Sequence, residues 1–75
     1  RHHSMSHFIV TFDYDMKKEV MDALREVAGV AVTGMPQRNG TITVKTVTRD
    51  LDSETAAVHA MEDIFGVLDV KFIEK

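Results

Sequence analysis

Met16-Lys-Lys-Glu-Val-Met-Asp-Ala-Leu-Arg-Glu-Val-Ala28 leads into Gly29-Val30, and 37 residues later Ser53-Glu-Thr-Ala-Ala-Val-His-Ala-Met-Glu-Asp-Ile-Phe65 leads into Gly66-Val67. In the first stretch Met16, Val20, Leu24 and Val27 recur at helical spacing with Ala23 beside them. Lys17, Lys18, Glu19, Asp22, Arg25 and Glu26 take the other face. In the second, Ala57, Ala60, Met61 and Ile64 form the apolar stripe. Asp15 suits the N-cap of the first helix, and Asp52 or Ser53 that of the second, after a polar turn at Asp50 to Asp52. A glycine ends each helix, because it enters the left-handed conformation without a steric penalty.

Strand-like alternation brackets both helices. From His7 to Asp13, Phe8, Val10 and Phe12 point one way, and His7, Ile9, Thr11 and Asp13 the other. From Val30 to Met35, Val30 and Val32 oppose Ala31, Thr33 and Met35, and Pro36 closes an edge strand. Asn39-Gly40 marks a hairpin. Ile42 and Val44 then face inward, with Thr41, Thr43 and Lys45 outward. In the last strand Leu68, Val70 and Phe72 are expected inward, and Asp69, Lys71 and Ile73 outward. The order βαββαβ predicts an α+β, ferredoxin-like sandwich: a four-stranded antiparallel sheet of order 4-1-3-2 with two helices on one face. The other face stays open, and there a function belongs.

Residues 1-4, Arg-His-His-Ser, read as the remnant of an expression tag, leaving one domain over 5-75. The formal charge is −3, one unit more negative without Arg1, and a mildly acidic domain suits phosphate backbones poorly. The central strands expose no aromatic on which RNA bases would stack. With no cysteine there is no disulfide, thiolate nucleophile or copper-binding Cys pair. Two aspartates in Asp13-Tyr14-Asp15 would repel a phosphate ester. They read instead as a turn residue and a helix cap, so no catalytic residue, cofactor or metal is expected and the chain is not read as an enzyme. His59 reads as an exposed helix residue, and His7 has no metal-ligating companion outside His2 and His3. Glu19, Asp22, Glu26, Glu54, Glu62 and Asp63 read as solvated helix faces. No apolar run approaches the roughly 18 residues of a membrane span, and no signal peptide is visible, since Met5 leads almost directly into a strand; the lack of cysteine is compatible with the cytoplasm.

Taken together, the opening strand, the helix ending in small-Gly-Val and the Asn39-Gly40 hairpin make a recognisable pattern. Asp52-Ser53-Glu54-Thr55 before a helix and Gly66-Val67-Leu68-Asp69-Val70 into the last strand complete it. It resembles the NapD family, cytoplasmic assembly chaperones of periplasmic nitrate reductase, over nearly all of Met5 to Lys75. That resemblance implies binding of the twin-arginine signal peptide of the catalytic subunit, which delays export until the molybdenum cofactor is inserted. A receptor for such a peptide needs a shallow platform, for which Ile9, Thr11, Ala31, Thr33, Met35 and Thr43 are candidates, and acids for the arginines, for which Asp13 and Asp69 are candidates. Lys45 and Lys71 lie on the same face. Micromolar affinity, roughly −8 kcal/mol, and a monomer or weak homodimer are expected. A second reading stays open: an ACT-like regulatory domain that binds a small molecule.

Overall fold

In the computed structural model, which describes residues 4–75, the elements run β1 (Ser4–Phe12), a 3-10 turn (Tyr14–Met16), α1 (Lys17–Glu26), β2 (Val30–Val32), β3 (Thr41–Thr48), α2 (Leu51–Glu62) and β4 (Val67–Glu74). The strands form one antiparallel sheet in the order β2-β3-β1-β4. This is the expected ferredoxin-like topology. Of the residues read as a tag remnant, Arg1, His2 and His3 lie outside the described residues, whereas Ser4 already pairs with Thr48.

Alternation decides which face is covered. Phe8, Val10 and Phe12 of β1 and Ile42 and Val44 of β3 are buried, and so are Val20, Met21 and Leu24 of α1 and Ala57 and Met61 of α2. Burying such a side chain contributes roughly 1.5–3 kcal/mol. Phe72 meets Phe8 edge-on, with ring centroids 5.7 Å apart. The far end of the inner face is polar: Ser6 and Thr46, paired across β1 and β3, lie beneath Glu54 of α2. The Ser6 hydroxyl donates to Glu54 Oε1 at 2.8 Å, and the Thr46 hydroxyl lies 3.4 Å from the same oxygen. Glu54 is therefore a buried anchor and not the solvated residue its neighbours suggested. An unsatisfied carboxylate there would cost more than the roughly 1–3 kcal/mol of a neutral buried group.

Several boundaries moved for identifiable reasons. Asp13, not Asp15, makes the first cap: its carboxylate accepts from the Asp15 amide at 3.0 Å and opens the 3-10 turn, so α1 starts at Lys17. Helix α2 starts at Leu51, because Asp50 is its N-cap and accepts from the Ser53 amide at 2.8 Å. Strand β2 ends at Val32, short of Met35. Leu68 is 69 % exposed: Val67 takes the inward place opposite Phe12, and Leu68 is the extra residue of a bulge before Asp69 pairs with Thr11.

The Asn39-Gly40 hairpin forms with a three-residue loop. Gln37 bridges Thr41, the Gly40 amide donates to the Gln37 carbonyl at 2.9 Å, and Gly40 has φ +85°. A Cβ on Gly40 would lie 2.6 Å from the Phe12 carbonyl oxygen, while the Phe12 amide donates to the Gly40 carbonyl at 2.8 Å. Gly40→Ala thus meets both a left-handed backbone and a clash with main chain, and is expected to cost roughly 2 kcal/mol or more in urea unfolding.

The bond from the Ser53 amide and then the Ser53 side chain hold the Asp50 carboxyl below its ordinary value of 3.8, against an opposing effect of desolvation and with a lesser pull from the nearby Arg49. A carboxyl lowered by folding stabilises the native state fully above its unfolded value, and that contribution vanishes as pH falls through the folded value. Asp50→Asn keeps a neutral cap. Its melting temperature is expected to fall less than the parent's when the pH is taken from neutral to below 3.8.

Candidate functional site

Both helices lie on one side of the sheet, and the opposite face is arranged in rows set by strand register. The first row joins Asp69, Thr11 and Thr41, and the second Lys71, Ile9 and Thr43, with Thr33 following through its amide bond to the Thr43 carbonyl at 3.0 Å. The third joins Glu74, His7, Lys45 and Ala31. The fourth sets Met5 opposite Val47, 44 % and 41 % exposed. Successive rows are two residues apart along β1 and β3, so the face is about 20 Å long.

The rows differ in character. Asp69 supplies an acid at the first, with Asp13 exposed just beyond the end of β1. Short hydroxyls follow: Thr33 Oγ1 donates to Thr43 Oγ1 at 3.1 Å, and Thr41 Oγ1 to Asn39 Oδ1 at 2.7 Å. Lys71, Lys45, His7 and Glu74 make up the middle, where the His7 Nδ1 atom is buried without a hydrogen-bond partner among the described residues. Met5 and Val47 make an apolar end. The face thus has acids without lysine at one end, two lysines against the single acid Glu74 across the centre, and apolar groups at the other end.

The structure brings Ile9, Thr11, Ala31, Thr33, Thr43 and Asp69 together on this face. The Asp13 carboxylate is at the rim and already accepts the Asp15 amide. Met35 is the exception. Because β2 stops at Val32, Met35 leaves the strand and lines a hollow of about 410 Å³ with Lys17, Met21 and Arg25 of α1, on the covered side. It is 77 % exposed there and does not share the platform. Met5 and Val47 were missed. The alternation Thr41, Thr43, Lys45 extends unbroken to Val47, and that of His7, Ile9 and Thr11 extends back to Met5, which is the signal that finds them.

A second concavity, about 580 Å³, lies between the start of β2, the end of β3 and α2, floored by Gly29, Ala56, Ala57 and Ala60 and edged by Thr48 and Arg49. Val47, at the apolar end of the open face, also lines it. Among the described residues no three His, Asp or Glu side chains converge to hold a metal, and no helix is long and apolar enough to cross a membrane.

No protein-family model matches this chain, and no curated relative does. Nine chains of solved structures match it. One is the solution structure of the Escherichia coli Tat proofreading chaperone protein NapD, similar with a TM-score of 0.89 at 15 % identity over 97 % of this chain and 77 % of that one. The fold is NapD-like. At this identity the side chains of the open face are this chain's own, and they have to be read on their own chemistry.

The rows predict unequal sensitivity on the two sides of the sheet. Ile42 is 1 % exposed beneath the helices, and Ile9 is half-buried on the open face. Ile42→Ala is expected to cost about 3 kcal/mol through the cavity it leaves, and Ile9→Ala about 1 kcal/mol or less. Urea unfolding of the two variants measures the difference. Equal losses would mean that both faces are covered.

Proposed function

We propose that this protein is a cytoplasmic Tat proofreading chaperone that binds a twin-arginine signal peptide along the open sheet face, without itself being an enzyme. The observation that carries the reading is the division of that face into an acidic end and an apolar end on a NapD-like fold. A twin-arginine leader has the same division, an arginine pair followed by an apolar stretch. Its arginines belong at Asp69 and Asp13, where a guanidinium makes charge-assisted bonds to carboxylate. Its apolar stretch belongs over Ile9, Met5 and Val47. About 13 helical residues span the 20 Å between the ends. Lys71 and Lys45 outnumber Glu74 between the ends and disfavour a peptide laid down the opposite way, with its arginines at Met5 and Val47.

The finer reading is that the cargo is the catalytic subunit of a periplasmic nitrate reductase, whose export waits on insertion of its molybdenum cofactor. Support for it comes from the sequence resemblance and from the Escherichia coli neighbour, itself a NapD. Bound to the leader, the chaperone occupies the residues that an export receptor would have to read. Release is then the step that commits the cargo to transport.

The test is a calorimetric titration with a twin-arginine signal peptide and with its Lys-Lys counterpart, followed by amide shift mapping. Micromolar affinity for the arginine peptide, weaker binding of the lysine peptide and shifts at Ile9, Thr43 and Val47 are expected. Asp69→Lys is expected to weaken binding about tenfold. Negligible, equal responses to both peptides, or shifts confined to α1 and α2, would overturn the proposal.

A further inference from the structure

Strand β4 is an edge of the sheet, eight residues long, with its outer backbone unpaired among the described residues. The other edge, β2, is three residues long and is followed by Gly34-Met35-Pro36. Short strands and proline are the usual means of blunting an edge, and β4 has neither. It also exposes large apolar side chains: Leu68 at 69 %, Phe72 at 52 % and Ile73 at 48 %. Between its two bulges, at Leu68 and Ile73, Asp69 to Phe72 are in regular register with β1.

We infer that β4 pairs antiparallel with β4 of a second copy of this chain, centred on Val70, to give a two-fold dimer with a continuous eight-stranded sheet. A two-fold axis normal to the sheet leaves every side chain on its own face, so the pairing must centre on a residue that meets itself. Centred on Val70, it sets Asp69 opposite Lys71 of the partner subunit, and Lys71 opposite Asp69 of the partner subunit. Val70 meets its own counterpart, and Phe72, at the end of the regular segment, lies near the bulge at Leu68 of the partner subunit. Centred one residue either way, it sets two Asp69 or two Lys71 face to face, and like charges directly opposite destabilise a strand pair. Of these three registers the charges favour the one centred on Val70.

A lysine on an edge strand ordinarily discourages pairing. Here Asp69, two residues away on the same face, makes that strand complementary to itself. Among the described residues neither side chain has an ion-pair partner within 4.0 Å, so both are available. The dimer leaves the rows of the open face uncovered and extends them into a second set.

Sedimentation equilibrium of the peptide-free chain from micromolar to millimolar concentration tests this without reference to any cargo. The mass is expected to rise from one chain of 8.4 kDa toward two, less so at high salt. Lys71→Asp puts acid opposite acid, and Asp69→Lys puts base opposite base, so each alone is expected to weaken association about tenfold or more. Mixed in equal amounts, the two chains have opposite charges along the edge and are expected to associate as the parent does. Both positions are exposed, and circular dichroism of each variant checks that it folds. A parent that stays monomeric throughout, variants that associate as well as the parent, or a mixture no better than its components would each overturn the inference.

Discussion

Eight consecutive pairs join β1 to β3, from Ser4 opposite Thr48 to Thr11 opposite Thr41, and the rest of the molecule is arranged around that register. Side chains alternate along each strand, so a slip of one residue would turn Phe8, Val10 and Phe12 out to water and bring His7, Ile9 and Thr11 beneath the helices. The hairpin at Gly40 sets the register from one end, since its left-handed φ and its bonds to Phe12 and Gln37 allow no extra residue. At the other end the register is set by polarity: Ser6 and Thr46 must lie side by side to reach one Glu54 oxygen. Two local devices at opposite ends thus hold one long-range pairing in place.

The two helices meet the sheet by different physics. Helix α1 brings Val20, Met21 and Leu24, and its outer side carries the Lys18–Asp22 pair at 3.2 Å, exposed enough to contribute little. Helix α2 offers Ala57 and Met61 as its buried apolar residues, with Glu54 and the Asp50 cap at its start. A helix so poor in large apolar groups gains less from burial, so its position depends more on hydrogen bonds that fix where it begins. The hollow floored by Ala56, Ala57 and Ala60 is the other side of the same composition: small side chains leave space that larger ones would fill.

Topology, sheet order and the covered face were legible in the sequence because period-two alternation and paired glycines are local signals that tertiary packing reinforced. What was not legible depended on partners distant in sequence. Glu54 looks like any first-turn acid until Ser6, 48 residues away, is seen beneath it. Leu68 reads as inward by parity, and only the bulge against β1 turns it out. Met35 reads as a platform residue only if β2 runs to its proline, and the chain leaves the sheet three residues earlier. The caps at Asp13 and Asp50 were missed by two or three residues because several Asp residues cluster there, and which one has an amide in reach is a matter of geometry. Of the candidate platform, the positions on long strands were correctly placed, and the one error fell on the shortest strand.

Threonine on an open sheet face is no sign of function. Its β-branched side chain favours extended backbone and its hydroxyl tolerates water, so Thr11, Thr33, Thr41 and Thr43 suit a solvated strand surface as they stand. Met5 and Val47 do not have that explanation. They lie opposite each other, exposed, at one end of a face whose other end is acidic, although nothing in the fold requires apolar groups there. Single exposed apolar residues are ordinary on protein surfaces. A directly opposed pair, separated from Asp69 and Asp13 by a strip in which Lys71 and Lys45 outnumber Glu74, gives the surface a direction that stability alone does not demand. Loss of water from Met5 and Val47 favours any apolar segment that covers them, and the acid at the far end decides which way round that segment lies. The same face can therefore hold its ligand by one physical effect and orient it by another.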